Sequence, residues 1–158
     1  MPRLATIGYE GAALAGFVDA LTGEGVGILV DVRAVPASSR PEFSKRALAE
    51  SLGAVGIAYR HLPALGNPRE GREAARAGRI EEYRRIFAAR LAEATAREAL
   101  AEVAELMAED YPCLMCLERG PVRCHRMMVA DALTAMTGIA ARHLTVPPGD
   151  RRQLPLDL

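Results

Sequence analysis

The 158-residue chain reads as an α/β domain built on a mostly parallel sheet. Three features predict this class: short apolar runs alternate with amphipathic helical segments, glycines punctuate the runs, and ionisable residues follow directly after four of them. Parallel strands need crossover connections and helices supply them, so this alternation favours a sheet covered on both faces.

The elements follow in order. Leu4 to Gly8 is an apolar run stopped by Gly8 and Gly11, and Leu14, Phe17, Val18 and Leu21 recur after it at helical spacing. Ile28-Leu29-Val30-Asp31-Val32, preceded by Gly25 and Gly27, is a second buried strand, with a Pro/Ser-rich loop from Ala34 to Pro41 behind it. Leu48, Leu52 and Val55 mark a helix, and Ile57-Ala58-Tyr59 is a short third strand leading into His61-Leu62-Pro63. Leu65 to Gly78 reads as a long polar loop punctuated by Gly and Pro, a length more typical of functional lids than of connectors. Ile80, Tyr83, Phe87 and Leu91, then Leu100, Val103, Leu106 and Met107, give one long or two consecutive helices in a stretch rich in strong helix formers. Pro112 ends that region. Cys113-Leu114-Met115-Cys116-Leu117 is a fourth buried strand, and Val129, Leu133 and Met136 continue as a helix closed by Gly138. Ala140 to Val146 supplies a fifth strand. The expectation is one domain over residues 1–146 with a tail over 147–158, folded as a three-layer sandwich of about five strands with helices on both faces, Rossmann-like in type. Strand order is not readable.

Composition limits the partners. Apolar residues make up 50% of the chain, enough for a real core. No apolar stretch reaches the roughly 20 residues of a membrane helix. Met1-Pro2-Arg3-Leu4 opens no signal segment, so a cytoplasmic protein without a membrane partner is expected. Cys113, Cys116 and Cys124 sit close together, unlike the spaced framework of a secreted scaffold, and reduced thiols are expected. The formal net charge is +0, so any anion site must be local and long duplex nucleic acid is disfavoured. Of the 20 basic residues only Lys45 is lysine, which weakens arguments from arginine count and draws attention to Lys45.

In open parallel sheets ligands bind outside the carboxyl ends of the strands. Strand one ends in Gly8-Tyr9-Glu10-Gly11, strand two in Asp31 and Arg33, strand three runs into His61, and strand four ends in Cys116 and Glu118. The turn after strand four is the most informative segment. Gly120-Pro121 permits a tight turn and a helix start that leaves backbone N–H groups facing a ligand, which favours anions. Arg119, Arg123 and Arg126 add forked donors suited to phosphate or carboxylate.

Three readings of the cysteines stay open. Cys116 or Cys124 is a nucleophile, with His61 or His125 as base and Glu118 or Asp31 as acid/base or orienting group. The Cys-x5-Arg loop of thiol phosphatases does not fit, since Val122 stands where the Arg belongs. Alternatively Cys116, Cys124 and His125 hold a metal, against which zinc sites favour Cys-x2-Cys pairs and Cys113 and Cys116 would point to opposite faces of a strand. In the third reading the cysteines are small apolar fillers. Ligand-binding candidates are Tyr9, Glu10, Arg33, Arg40, Lys45, Arg123 and Arg126; Tyr9, Phe43 and Tyr59 are suited either to stacking a ring or to the core.

The residues also resemble a family, the domain of unknown function 488 family of small bacterial and archaeal proteins. The resemblance spans nearly the whole chain and rests on Thr6-Ile7-Gly8-Tyr9-Glu10-Gly11, Val30-Asp31-Val32-Arg33, Pro36 to Arg40 with Phe43-Ser44-Lys45, Tyr59-Arg60-His61-Leu62-Pro63 with Leu65-Gly66, and Cys116-x-Glu118-x-x-Pro121-x-x-Cys124-His125-Arg126. It implies the same fold, and its residue types suggest an enzyme. The leading expectation is an enzyme acting on a phosphate-bearing small molecule, nucleotide or nucleic-acid end. Arg33, Arg40, Lys45, Arg123 and Arg126 would bind the anion, and Asp31, His61, Glu118, Cys116, Cys124 and His125 would carry the chemistry. The alternatives are a non-catalytic nucleotide or nucleic-acid binding module and a metal-binding protein. No cofactor is predicted, and a homodimer contact through the Ala-rich helices is compatible with the sequence.

Overall fold

In the computed structural model, which describes residues 1–120 and 124–148, the apolar runs form five strands: β1 (Ala5–Gly8), β2 (Ile28–Asp31), β3 (Ala58–His61), β4 (Pro112–Cys116) and β5 (Arg142–His143). All pair in parallel, in the order β3-β2-β4-β1-β5. Between them run α1 (Leu14–Glu24), α2 (Lys45–Gly53), α3 (Arg69–Arg76), α4 (Ile80–Leu91), α5 (Ala94–Glu109) and α6 (His125–Thr137). Among the described residues no helix is long and apolar enough to cross a membrane.

The period-2 alternation of a strand sends its side chains to two separate cores. Cys113 and Met115 of β4 pack with Ala5, Ile7, Leu29, Phe17 and Leu21 of α1, and Leu48 and Leu52 of α2. Leu114 and Cys116 face the other way, onto Phe87 of α4, Leu100 and Val103 of α5, and Val129 and Leu133 of α6. The three-layer α/β sandwich is therefore as expected. β4 lies at the centre of the sheet, where a proline is tolerated because Pro112 is the first residue of the strand. Gly25 and Gly138 end α1 and α6 in left-handed conformations, at φ 85° and 78°.

Three readings of the sequence are corrected. The segment from Leu65 to Gly78 is no open loop. Pro68 sets up α3, and Gly71 and Ala74 face inward along its buried side, so small residues that look like punctuation are a packing stripe. Of the fifth strand only Arg142–His143 pairs, with β1. The long helical stretch divides into α4 and α5. Val55 falls outside α2 and is exposed.

The topology locates a crevice. Chain leaving β1 and β2 goes to the α1/α2 face, and chain leaving β4 goes to the α6 face. The loops therefore part on both sides of the carboxyl end of β4, the position at which open α/β sheets take ligands.

Candidate functional site

On one flank of β4, β2 ends in a buried carboxylate. Asp31 Oδ1 accepts from the backbone N–H of Arg33 at 3.0 Å and from its Nε at 2.9 Å, and Oδ2 accepts from Arg33 Nη2 at 2.7 Å and from the Tyr59 hydroxyl. Four donors fill the four lone-pair positions of the carboxylate. Arg33 Nη1 in turn donates to the Tyr9 hydroxyl at 3.2 Å. Burial by itself lowers the Arg33 pKa, but the bonds and charge of Asp31 outweigh it, with Tyr9 adding to them, and the guanidinium is held above its ordinary value. Burial and the Asp31 carboxylate together hold the Tyr59 phenol protonated well above its usual range. Tyr9 and Phe43 are both buried and stack on each other with ring centroids 4.6 Å apart.

At the end of β4 itself the centrepiece is Arg126, fully buried at 0% exposure. Its Nη1 donates to Cys116 Sγ at 3.2 Å and to the Glu118 carbonyl, and its Nη2 donates to the Arg119 carbonyl at 3.1 Å. Its Nε finds no partner among the described residues. The sequence reading aimed Arg126 at a ligand; the structure turns it inward to pin the β4–α6 loop. Burial lowers its pKa to about 10, still a cation at neutral pH. Close passage of this loop requires Gly8, because a Cβ there would fall on the Glu118 carbonyl.

Cys116 and Cys124 Sγ are in bonding contact and are joined as a disulfide, against the expectation of reduced thiols; Cys113, buried on the opposite face, is free. Cys124 is the N-cap of α6 and its Sγ accepts from the Arg126 backbone N–H at 3.4 Å. His125 pairs its Nε2 with the Val32 carbonyl at 2.6 Å, so Nε2 carries the proton and Nδ1, 3.8 Å from Cys124 Sγ, keeps its lone pair. The Phe87 ring meets the imidazole edge-on at 5.3 Å. Burial drives the His125 pKa down to about 4, which keeps the ring neutral. Glu118 Oε2 lies 3.5 Å from Cys116 Sγ. Burial raises its pKa, more than Arg126 and its own backbone lower it.

These groups border a cavity of about 470 Å³, within the size range of small-molecule sites. Cys116, Glu118, His125, Arg33 and Tyr9 line it, and α3 contributes Arg72 and Arg76. Arg72 Nη1 donates to the Asn67 carbonyl at 2.9 Å. Among the described residues neither Arg72 nor Arg76 has an ion-pair partner. Ala34, Val35, Ala75 and Leu117 supply apolar wall.

Of the sequence candidates, Tyr9, Arg33, Cys116, Glu118 and His125 line this cavity, and Cys124, Arg126 and Asp31 stand directly behind it. Others are placed elsewhere. His61 pairs with the Arg33 carbonyl at 2.8 Å, Glu10 accepts from the Arg119 backbone N–H, and Arg40 is engaged by Glu42, the Tyr9 carbonyl and the Phe43 ring. Lys45 borders a separate depression with Arg46, Glu50 and Tyr59. Arg123 lies outside the described residues. The sequence reading missed Arg72, Arg76, Asn67 and Tyr83; the spacing of Arg72 and Arg76, one helical turn apart, was the available signal. Among the described residues the buried Tyr83 hydroxyl has no partner, and burial raises its pKa to about 12, reinforced by the charge of Glu118.

The family model described as Domain of unknown function DUF488 matches residues 13–133. No curated protein and no solved structure matches the chain.

Proposed function

Since the chain belongs to the DUF488 family, whose description states no activity, we propose from the geometry alone that it is an enzyme acting on a phosphate-bearing small molecule bound at the carboxyl end of β4. One observation carries this reading: Arg72 and Arg76, without ion-pair partners among the described residues, line the same cavity as Arg33, Glu118, Cys116 and His125. Forked guanidinium donors in a cleft of this size suit phosphate, and the apolar wall of Ala34, Val35 and Leu117 suits the organic part of the same ligand. Asp31 serves as positioner of Arg33, because its acceptor sites are filled. Glu118 is the carboxyl placed to move a proton at the bound molecule.

Calorimetric titration with inorganic phosphate and with nucleoside monophosphates tests the binding half of this reading. Each charge-assisted contact is worth about 1.5–3 kcal/mol, so Arg72→Gln and Arg76→Gln are each expected to weaken binding by roughly 10–100-fold. Absence of anion binding, or affinity unchanged in both variants, would overturn it. Glu118→Gln is expected to keep the affinity and abolish conversion of whichever bound ester is turned over.

A further inference from the structure

Among the described residues one group of side chains has the arrangement of a metal site: the ligating atoms of Cys116, Cys124 and His125 lie within 4.8 Å of one another. We propose that, when a thiol reductant supplies the two electrons that open the Cys116–Cys124 disulfide, the two thiolates released and His125 Nδ1 bind one divalent ion of the zinc class, with a fourth position open to the cavity. This inference is independent of the phosphate reading.

The backbone is spread for such an occupant. The Cα atoms of Cys116 and Cys124 are 7.4 Å apart, beyond the about 4.4–6.8 Å that disulfides usually span. A tetrahedral ion with bonds of about 2.3 Å to sulfur holds two sulfurs roughly 3.8 Å apart, so once the disulfide is reduced the two side chains can converge on a common ion across this wide separation.

The imidazole is oriented as a ligand. With its Nε2 proton given to the Val32 carbonyl and its edge fixed by Phe87, His125 has one free lone pair, on Nδ1, and this faces the sulfurs. A backbone carbonyl on the far nitrogen is the usual way a metal-bound histidine is held. The sulfurs are likewise supported: the Arg126 backbone N–H points at Cys124 Sγ and its guanidinium at Cys116 Sγ, donors that favour thiolate over thiol.

Charge is accounted for as well. Arg126 is a buried cation whose hydrogen bonds among the described residues go to carbonyls and a sulfur and to no carboxylate. A divalent ion, two thiolates, this guanidinium and the Glu118 carboxylate beside Cys116 sum to zero. Two sulfurs and an imidazole nitrogen select a borderline-soft ion such as Zn²⁺ over Mg²⁺ or Ca²⁺. Three protein ligands with an open position correspond to reactive centres, whereas structural zinc sites carry four. Because Cys116, Glu118 and His125 all border the cavity, a ligand atom or water at the open position would sit beside the Glu118 carboxylate.

The test uses the full chain, reduced and then freed of reductant under anaerobic conditions. Zn²⁺ is titrated in with competition from a chromophoric chelator, and Co²⁺ binding is followed by its thiolate charge-transfer absorption. Wild type and Cys113→Ala are expected to take up one equivalent with the thiolate band. Cys124→Ser and His125→Gln should bind at least about tenfold more weakly, and Cys124→Ser should lose part of the band. Circular dichroism shows which variants are folded; if Cys124→Ser is not, His125→Gln decides. No uptake by folded, reduced wild type, or uptake undiminished in the folded ligand variants, overturns the proposal. Neither outcome touches the phosphate reading, since no anion is present in the titration.

Discussion

Removing the Asp31 carboxylate provides a sharp test of how the rim is held. The Arg33 side chain is 7% exposed and that of Asp31 is 0% exposed, so Asp31→Ala strands a guanidinium that is largely shielded from water. It also leaves Arg33 Nε and Nη2 and the Tyr59 hydroxyl without their acceptor. Breaking one side of a buried, hydrogen-bonded pair costs about 3–5 kcal/mol. For a chain of this size each kcal/mol moves the midpoint by about 2–4 °C, so Asp31→Ala should lower Tm by roughly 6–20 °C. The assay is thermal unfolding by circular dichroism, paired with urea unfolding to confirm that the slope m is unchanged. The double variant Asp31→Leu with Arg33→Met removes both charges and keeps apolar volume. It should be less destabilised than the sum of the two single variants, by at least about 2 kcal/mol. A loss below about 1 kcal/mol for Asp31→Ala, or an additive double variant, would refute the reading of Asp31 as the anchor of Arg33. Because Arg33 borders the cavity, the same Asp31→Ala protein should also bind phosphate more weakly, although Asp31 itself does not line the cavity.

Other outcomes are expected elsewhere. Gly8→Ala drives a methyl into the Glu118 carbonyl and towards Arg126 Nη1, and should cost about 1–3 kcal/mol or more in urea unfolding, with weakened anion binding as the loop shifts. Gly138→Ala forces a side chain into a φ of 78° and should cost about 1 kcal/mol by the same measurement, with anion affinity unchanged. At the sheet edge, Thr6 Oγ1 and His143 Nδ1 are 2.7 Å apart. Burial, aided by the charge of Arg126, lowers the His143 pKa from its ordinary 6.5. The folded state therefore prefers neutral His143, and its stabilising effect is present above that value and lost as pH falls. Amide exchange at Arg142 and Leu144, which donate to Leu4 and Thr6 across this edge, should be less protected at low pH after correction for intrinsic rates. Protection independent of pH, or a pH dependence unchanged in His143→Gln, would contradict it.

Much of the rim was legible because strand ends announce themselves: an apolar run that stops at Asp31 or at Cys116 and Glu118 tells where side chains emerge at the ligand edge. The pairing of Asp31 with Arg33 was also within reach, since residues two apart along an extended stretch of chain point to the same side. The inward turn of Arg126 was not. Its spacing from Cys116 crosses a loop, and only the approach of the Gly8 backbone creates the slot it fills. Cavity arginines Arg72 and Arg76 were hidden for a different reason. Their helix buries Gly71 and Ala74, so it lacks the large apolar stripe by which helices are recognised. Cys116, Cys124 and His125 converge across the same loop, at a spacing unlike the paired cysteines of familiar zinc sites, so their meeting depends on the fold.

The central place of β4 also governs how the chain reaches this structure. β1 and β2, though consecutive in sequence, do not pair; each is paired to β4, whose residues are Pro112–Cys116. During synthesis, β2 and β3 can associate early, while β1 must wait for about a hundred further residues before it has a neighbour. A truncation ending before Pro112 would hold two sheet fragments with apolar edges and no strand to join them. Such a fragment should aggregate rather than fold. The strand that carries Cys116 to the rim is thus also the one whose arrival closes the sheet, so assembly of the site and of the sheet becomes a single late event.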